Sequence, residues 1–162
     1  MGAKSSVQEK IEQELTITRT LDAPRELAFR VWTDPKCVAA WWGPKGFTNP
    51  VCELDARPGG AILIHMRGPD GKVYPMTGVY QEIVEPERMV FTSTALDEEG
   101  HPLFEVLTTV TFPEQGRKTK QTLQARVIMR TDKAAPYLAG MEMGWGQSLD
   151  RLTAYMATQT KE

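Results

Sequence analysis

The sequence predicts an α+β fold, with a curved antiparallel sheet of about seven strands wrapped around one long C-terminal helix and two short helices after the first strand. Three observations carry that expectation. Between residues 47 and 130 apolar residues recur largely at every second position, the period of a half-buried strand. These runs are separated by Pro58-Gly59-Gly60, Pro69-Asp70-Gly71, Glu85-Pro86-Glu87, Glu99-Gly100-His101-Pro102 and Glu114-Gln115-Gly116. Short turns of this kind make successive strands antiparallel neighbours. The final segment then changes period: Tyr137, Met141, Trp145, Leu149, Leu152 and Met156 recur at intervals of 4, 4, 4, 3 and 4, one face of an amphipathic helix.

Taken in order, "ELTITRTL" (14–21) alternates, with Leu15, Ile17 and Leu21 on one face, and reads as the first strand. In "DAPRELAFRVWT", Asp22 stands near the cap and Pro24 in the first turn of a short helix. In "TDPKCVAAWWGP" (33–44), Asp34-Pro35 starts a second helix and Gly43-Pro44 stops it. Further strands are expected over 47–56, 61–67, 73–84, 88–95, 103–112 and 120–130. Ile62, Ile64 and Met66 share a face, as do Phe104, Val106 and Val110, and Leu123, Ala125, Val127 and Met129. Arg67, Glu105, Gln124 and Arg126 occupy the other, wet face. Within 73–84, Tyr74, Met76, Gly78 and Tyr80 have one parity and Val73, Thr77, Val79 and Ile83 the other. Which of these faces inward stays open, since a bulge anywhere in the run would switch parity midway.

The long helix is expected over 132–158, with Asp132 as cap and Pro136 near its first turn. A sheet with one wet face must cover the other, and only this helix is long enough to do so. A curved sheet is not filled everywhere by one helix, so a cavity is expected between them. Gly140, Gly144 and Gly146 surround Trp145, although each interior glycine costs a helix roughly 1 kcal/mol against alanine. Either they serve close helix–sheet packing or they leave volume beside the indole.

Bulk properties exclude several classes. The chain has 162 residues, 41% of them hydrophobic and 25% charged, with a net charge of −2. That suits one domain, expected over 14–158 after a loosely ordered lead at 1–13. There is no basic footprint for nucleic acid, no apolar run long enough to span a bilayer and no secretory signal, so a cytoplasmic location is expected. Gly2 and Ser6 fit the permissive N-myristoylation pattern, read here as an ordinary disordered start. Two cysteines and two histidines without CxxC point to no disulfide scaffold, metal or cofactor.

Five motifs in register carry a family resemblance: "DAPRELAFRVWTDP" (22–35), "WWGP" (41–44), "D-x-RPGG" (55–60), "YPMTGVYQEIVEPERMVFT" (74–92) and "GW…SLDRL" (144–152). Together they resemble the domain found in homologues of the ATPase activator of the ninety-kilodalton heat-shock chaperone. That domain belongs to the START-like (SRPBCC) superfamily, with its helix-grip fold, its polyketide cyclases and its lipid carriers. The resemblance covers residues 14–157 and implies a hydrophobic pocket closed by the long helix. The expected ligand is a small hydrophobic or amphipathic molecule of unassigned identity. Its expected contacts are Phe29, Trp32, Trp41, Met66, Met76, Tyr80, Phe91, Phe104, Met141, Trp145 and Leu149, with Tyr80 supplying a polar contact.

Trp41 and Trp42 are adjacent, so one is expected in the core and the other near the surface or a pocket mouth. Asp55 and Arg57 are expected to pair; His65 is expected to face outward and His101 to lie in a turn. Tyr74, Tyr80, Glu105 and Arg57 are the polar groups able to converge on a cavity, but no spacing singles out an acid/base pair. "GWGQS" is not the G-x-S-x-G nucleophile elbow. A co-chaperone acting on the heat-shock chaperone ATPase is the second reading, ranked lower because the full eukaryotic activator is expected to carry an additional N-terminal domain. A cyclase or hydrolase is the third. An open edge strand would support a homodimer.

Overall fold

In the computed structural model, which describes residues 13–159, β1 (Glu14–Leu21) leads into α1 (Arg25–Thr33) and α2 (Pro35–Trp41). Then come β2 (Thr48–Leu54), β3 (Ala61–Arg67), β4 (Val73–Val84), β5 (Arg88–Leu96) and β6 (Pro102–Thr111). The two-residue β7 (Glu114–Gln115) and β8 (Lys118–Arg130) complete the strands. A 3-10 turn (Asp132–Ala134), α3 (Ala135–Ala139) and α4 (Met141–Gln159) close the chain. All pairings are antiparallel, in the order β1-β8-β6-β5-β4-β3-β2, and β7 pairs only with β8. This is the expected α+β helix-grip arrangement, with β7 as an addition: a hairpin turned at Gly116, whose φ is +64°. The N-terminal lead with Gly2 and Ser6 lies outside the described residues.

Local chemistry accounts for the short helices. The Asp34 carboxylate accepts the Lys36 N–H at 2.9 Å, and Pro35 occupies the first helical position of α2. α1 starts after Pro24 without a side-chain cap, so Asp22 does not serve as one.

Pairing register stacks the inner-face residues in rows across the strands. One row runs Ile64, Met76, Ala95, Phe104; the next Ile62, Gly78, Ser93, Val106, Val127. Below these lie Tyr80, Phe91, Thr108, Ala125, Leu15, and then Ile83, Met89, Val110, Leu123, Ile17. The parity left open in β4 is settled by a register shift between Tyr80 and Glu82, which brings both Tyr80 and Ile83 inward. A second shift, between Glu105 and Val106, sets Met129 opposite Glu105, away from the face of Val127 on which alternation placed it.

The single helix expected over 132–158 is broken at Gly140 (φ −97°, ψ 7°). Glycine is a poor helix former, and Pro136 has no N–H to give, so this stretch has little to hold it straight. Asp132 is not its cap; Thr131 precedes the turn and donates its hydroxyl to the Leu103 carbonyl at 2.7 Å. The break also shifts the apolar phase: Leu138 is buried while Tyr137 is 39% exposed. From Leu149 onward the expected stripe is real, with Leu149, Leu152 and Met156 buried. Each such side chain contributes roughly 1.5–3 kcal/mol of burial energy. They join Val31, Val110 and Leu123, with Phe29 edge-on to Phe112 at 5.5 Å.

Gly78 is the tightest point of the sheet that bears on the concave face. A Cβ there would lie 2.1 Å from the Thr92 carbonyl oxygen, which is backbone and has nowhere to yield. Gly78→Ala should therefore cost about 2–3 kcal/mol or more in urea denaturation. An unchanged midpoint would show that β4 and β5 are not so closely matched.

Candidate functional site

The site is built from α1, the corner after α2, and α4. All four tryptophans of the chain meet there. Trp32 lies 4.7 Å from Trp41 edge-on and 6.1 Å from Trp145, nearly parallel to it; Trp42 meets Trp145 edge-on at 5.3 Å. Phe91 lies 6.3 Å from Trp32 and 6.4 Å from Trp42, and Tyr80 is 6.2 Å beyond it. Such ring pairs add about 0.5–1.5 kcal/mol each beyond their burial. The adjacent tryptophans differ in burial, although their rings stay 5.6 Å apart. Trp41 is fully buried and donates its indole N–H to the Val31 carbonyl at 2.8 Å, while Trp42 is half-buried over the cavity.

The Trp42 corner is held by α4. Arg151 donates from Nη1 to the carbonyls of Trp42, Gly43 and Pro44 at 3.1, 2.9 and 3.0 Å, and from Nη2 to Ala40 at 3.2 Å. Partial burial holds its pKa below the ordinary guanidinium value. Asn49 Nδ2 caps the same end, donating to Ala39 and Trp42 carbonyls at 3.0 and 2.8 Å, and the Lys45 N–H donates to Gln147 at 3.0 Å. The bonds to Ala39, Ala40 and Trp42 satisfy carbonyls that α2 leaves open at its C-terminus, and the others fix the turn that follows.

Beneath Trp32 and Trp42 lies a cavity of about 10 Å³, measured as space for the centre of a water molecule, so it holds about one water. Trp32, Val38, Trp42, Leu54, Ile62, Ile64, Tyr80, Met89 and Phe91 line it. The Tyr80 hydroxyl has no hydrogen-bond partner among the described residues. Burial, with smaller contributions from Cys52 and Asp55, holds its pKa well above the usual phenol value. Burial also pushes the Cys52 thiol up to about 11. Both groups therefore stay protonated near neutral pH.

Of the expected ligand contacts, the structure brings Trp32, Tyr80 and Phe91 to the cavity. Phe29, Trp41 and Leu149 are buried in the core. Met66, Phe104, Met141 and Trp145 are half-buried and pack against that core, and Met76 is buried in the row of Phe104. Val38, Leu54, Ile62, Ile64 and Met89 line the cavity without having been named as contacts, although the alternation of Ile62 and Ile64 already signalled their face; Trp42 is the member of the adjacent pair that lies at the cavity. Gln121 was missed outright: its Oε1 accepts the Trp32 indole N–H at 2.7 Å in a buried site. The signal was available, since Gln121 shares the parity of Leu123 and Ala125.

Of the polar candidates only Tyr80 reaches the cavity. Glu105 lies opposite Thr94 on the other face, and Arg57 forms the expected ion pair with Asp55 at 2.8 Å, well exposed. Tyr74 packs 5.8 Å from Phe47, with the Lys72 ammonium 5.3 Å from its ring. His65 is half-buried, and His101 sits exposed beside Asp97 and Glu99 at 3.7 and 3.5 Å. Among the described residues no cluster of His, Cys, Asp and Glu could hold a metal ion.

A curved antiparallel sheet packed around a long C-terminal helix, with two short helices after the first strand, is the design of a START-like helix-grip domain. The chain belongs to the family described as Activator of Hsp90 ATPase homolog 1-like protein, whose sequence profile matches residues 22–157. Solved structures agree. Protein CV1439 from Chromobacterium violaceum is 30% identical, with a TM-score of 0.72 over 87% of this chain and 94% of that one. The AHSA1 protein SPO3351 from Silicibacter pomeroyi (24% identity, TM-score 0.79, 91% and 99% coverage) has the same fold. So does NE0264 from Nitrosomonas europaea (24% identity, TM-score 0.78, 92% and 97% coverage). No curated protein matches the chain. No helix among the described residues is long and apolar enough to cross a membrane.

Close packing does not explain the three glycines. A Cβ on Gly140, Gly144 or Gly146 would find its nearest neighbours at 4.0, 3.8 and 3.9 Å: the Tyr137 carbonyl, Pro44 Cγ and Arg19 Nη2. Gly144→Ala and Gly146→Ala should each raise stability by up to about 1 kcal/mol in urea denaturation. A loss of stability in either would restore the tight-packing reading.

Proposed function

We propose that this protein binds a small apolar or amphipathic molecule between the concave face of the sheet and α4. The observation that carries the reading is an apolar cavity in the concave face whose lining includes one polar side chain outside the indoles, Tyr80. The cavity is too small for an organic ligand, so the space beneath the aromatic cluster would have to widen. The first turns of α4 suit that widening, because their glycines weaken the helix without serving its packing. Trp32, Tyr80 and Phe91 would touch the ligand first, with Met66, Met76, Phe104, Met141 and Trp145 around the open end. Phe29, Trp41 and Leu149 would form the wall behind. Affinity would come mainly from apolar area, near 25 cal/mol per Å² before association costs.

The family description supports a second reading, stimulation of a heat-shock chaperone ATPase. Turnover, the third, would have to rest on Tyr80, the cavity lining holding neither carboxylate nor imidazole.

A thermal-shift screen of soluble apolar and amphipathic molecules separates these readings. A ligand at about a hundred times its Kd should add about 2.7 kcal/mol of stability, and Trp145→Ala should abolish most of that gain. Silence from a folded protein, together with acceleration of the chaperone's ATPase on addition of this chain, would favour the second reading.

A further inference from the structure

We infer that β1 is a docking edge for a second copy of this chain, the two β1 strands pairing antiparallel about a two-fold axis and joining the two sheets. The sheet has two edges, β1 and β2, and they are built differently. β2 is blunted: Pro50 interrupts it, its register slips between Thr48 and Val51, and α2 packs against it. β1 carries none of these devices. All eight of its residues pair with β8 in unbroken register, with no proline, glycine or bulge. α4 meets it on the concave side, where Asp150 takes up the charge of Arg19.

Backbone direction defines what that edge offers. The Gln13 carbonyl accepts the Val127 N–H at 2.8 Å, so in this ladder the odd-numbered residues turn their N–H and C=O groups towards β8. The even-numbered ones, Glu14, Thr16, Thr18 and Thr20, turn theirs outward. Those backbone groups have no hydrogen-bond partner among the described residues, and all four residues are exposed. A second copy matches the pattern. With Ile17 opposite Ile17 of the second copy, Thr16 stands opposite its Thr18 and Glu14 opposite its Thr20, so every outward N–H and C=O is paired. Leu15 then lies beside the second copy's Arg19 on the concave side, and no like charges meet. A slip of two residues one way sets Glu14 against Asp22; the other way it carries Thr20 past the start of the opposing strand. A slip of one turns the threonine face of one copy against the apolar face of the other. Because β2 is blunted, the assembly closes at two copies instead of growing from edge to edge.

The mass of the full chain, by sedimentation, and its amide exchange, by NMR, would be followed between about 10 μM and about 1 mM, the range of weak association that a single strand pair supports. The mass should double across this range, and the amides of Thr16, Thr18 and Thr20 should gain at least about tenfold protection as it does. Those of Leu15, Ile17 and Arg19, already bonded to β8, should change little. Thr18→Pro removes an N–H that β8 does not use, so the chain should stay folded and become monomeric. Thr16→Lys with Thr18→Lys opposes like charges across the axis and should do the same. Thr16→Glu with Thr18→Lys opposes unlike charges in this register and should restore the dimer. If Thr18→Pro does not fold, the two charge variants decide alone. A monomer at every concentration overturns the inference, whether its even-numbered amides are open or already protected by another part of the chain. A dimer that survives the proline and paired lysine substitutions overturns it too, since the copies then meet elsewhere.

Discussion

Seven strands about 4.8 Å apart make a sheet roughly 29 Å across, while a helix with its side chains is about 10–12 Å wide. One helix cannot cover such a face, and much of the structure follows from that mismatch. α1 and α2 share the cover, bringing Trp32, Trp41 and Val38 over one part of the core. α4 supplies Leu149, Leu152 and Met156. What remains is the stretch around Ser93, Ala95, Phe104 and Met141, which stays half-buried. A cavity in this fold is what three helices leave uncovered or incompletely filled.

The roof is fastened unevenly. From Gln147 onward α4 is held by the Gln147 contact to Lys45, by the Arg151 clamp on the Trp42 corner, and by three buried apolar side chains. Arg151 suits that place because a guanidinium presents five donors in a fixed fork and remains charged even when partly desolvated. Its positive charge also sits where α2 ends, at the negative pole of that helix. Before Gln147 the helix contains glycines whose space is not needed, one exposed methionine, and Trp145 resting on other rings. Sequence thus divides one helix into a fixed half and a weakly held half. The weakly held half lies over the aromatic cluster. Packing strength, helix propensity and the proposed route for a ligand all change at the same place.

Much of this was legible in the chain. Alternation and turn residues placed seven strands, and Asp34-Pro35 marked the start of α2. The resemblance of five motifs indicated the helix-grip fold and the family. Two kinds of feature were not legible. Alternation carries no warning of a bulge, so Met129 was assigned to the wrong face and the facing of Ile83 could not be fixed. Helical spacing continues across Gly140, so the break there and the exposure of Tyr137 had no signal beyond glycine itself. The site was partly legible for a related reason. Side-chain size points to Trp32, Tyr80 and Phe91, but which indole of Trp41–Trp42 faces the cavity depends on the backbone turn at the end of α2. Gln121 was missed because a polar residue at an inward position reads as an irregularity until its partner, Trp32, is known.

The central claim is that α4 has two halves of unequal strength, the weaker one roofing the site. Amide hydrogen exchange, followed residue by residue by NMR on the free protein, tests it most directly. The account predicts that amides of residues 144–147 exchange at least about tenfold faster than those of 149–156, through local opening that leaves the rest of the helix intact. Uniform protection along α4, with both halves exchanging only through global unfolding, would contradict it.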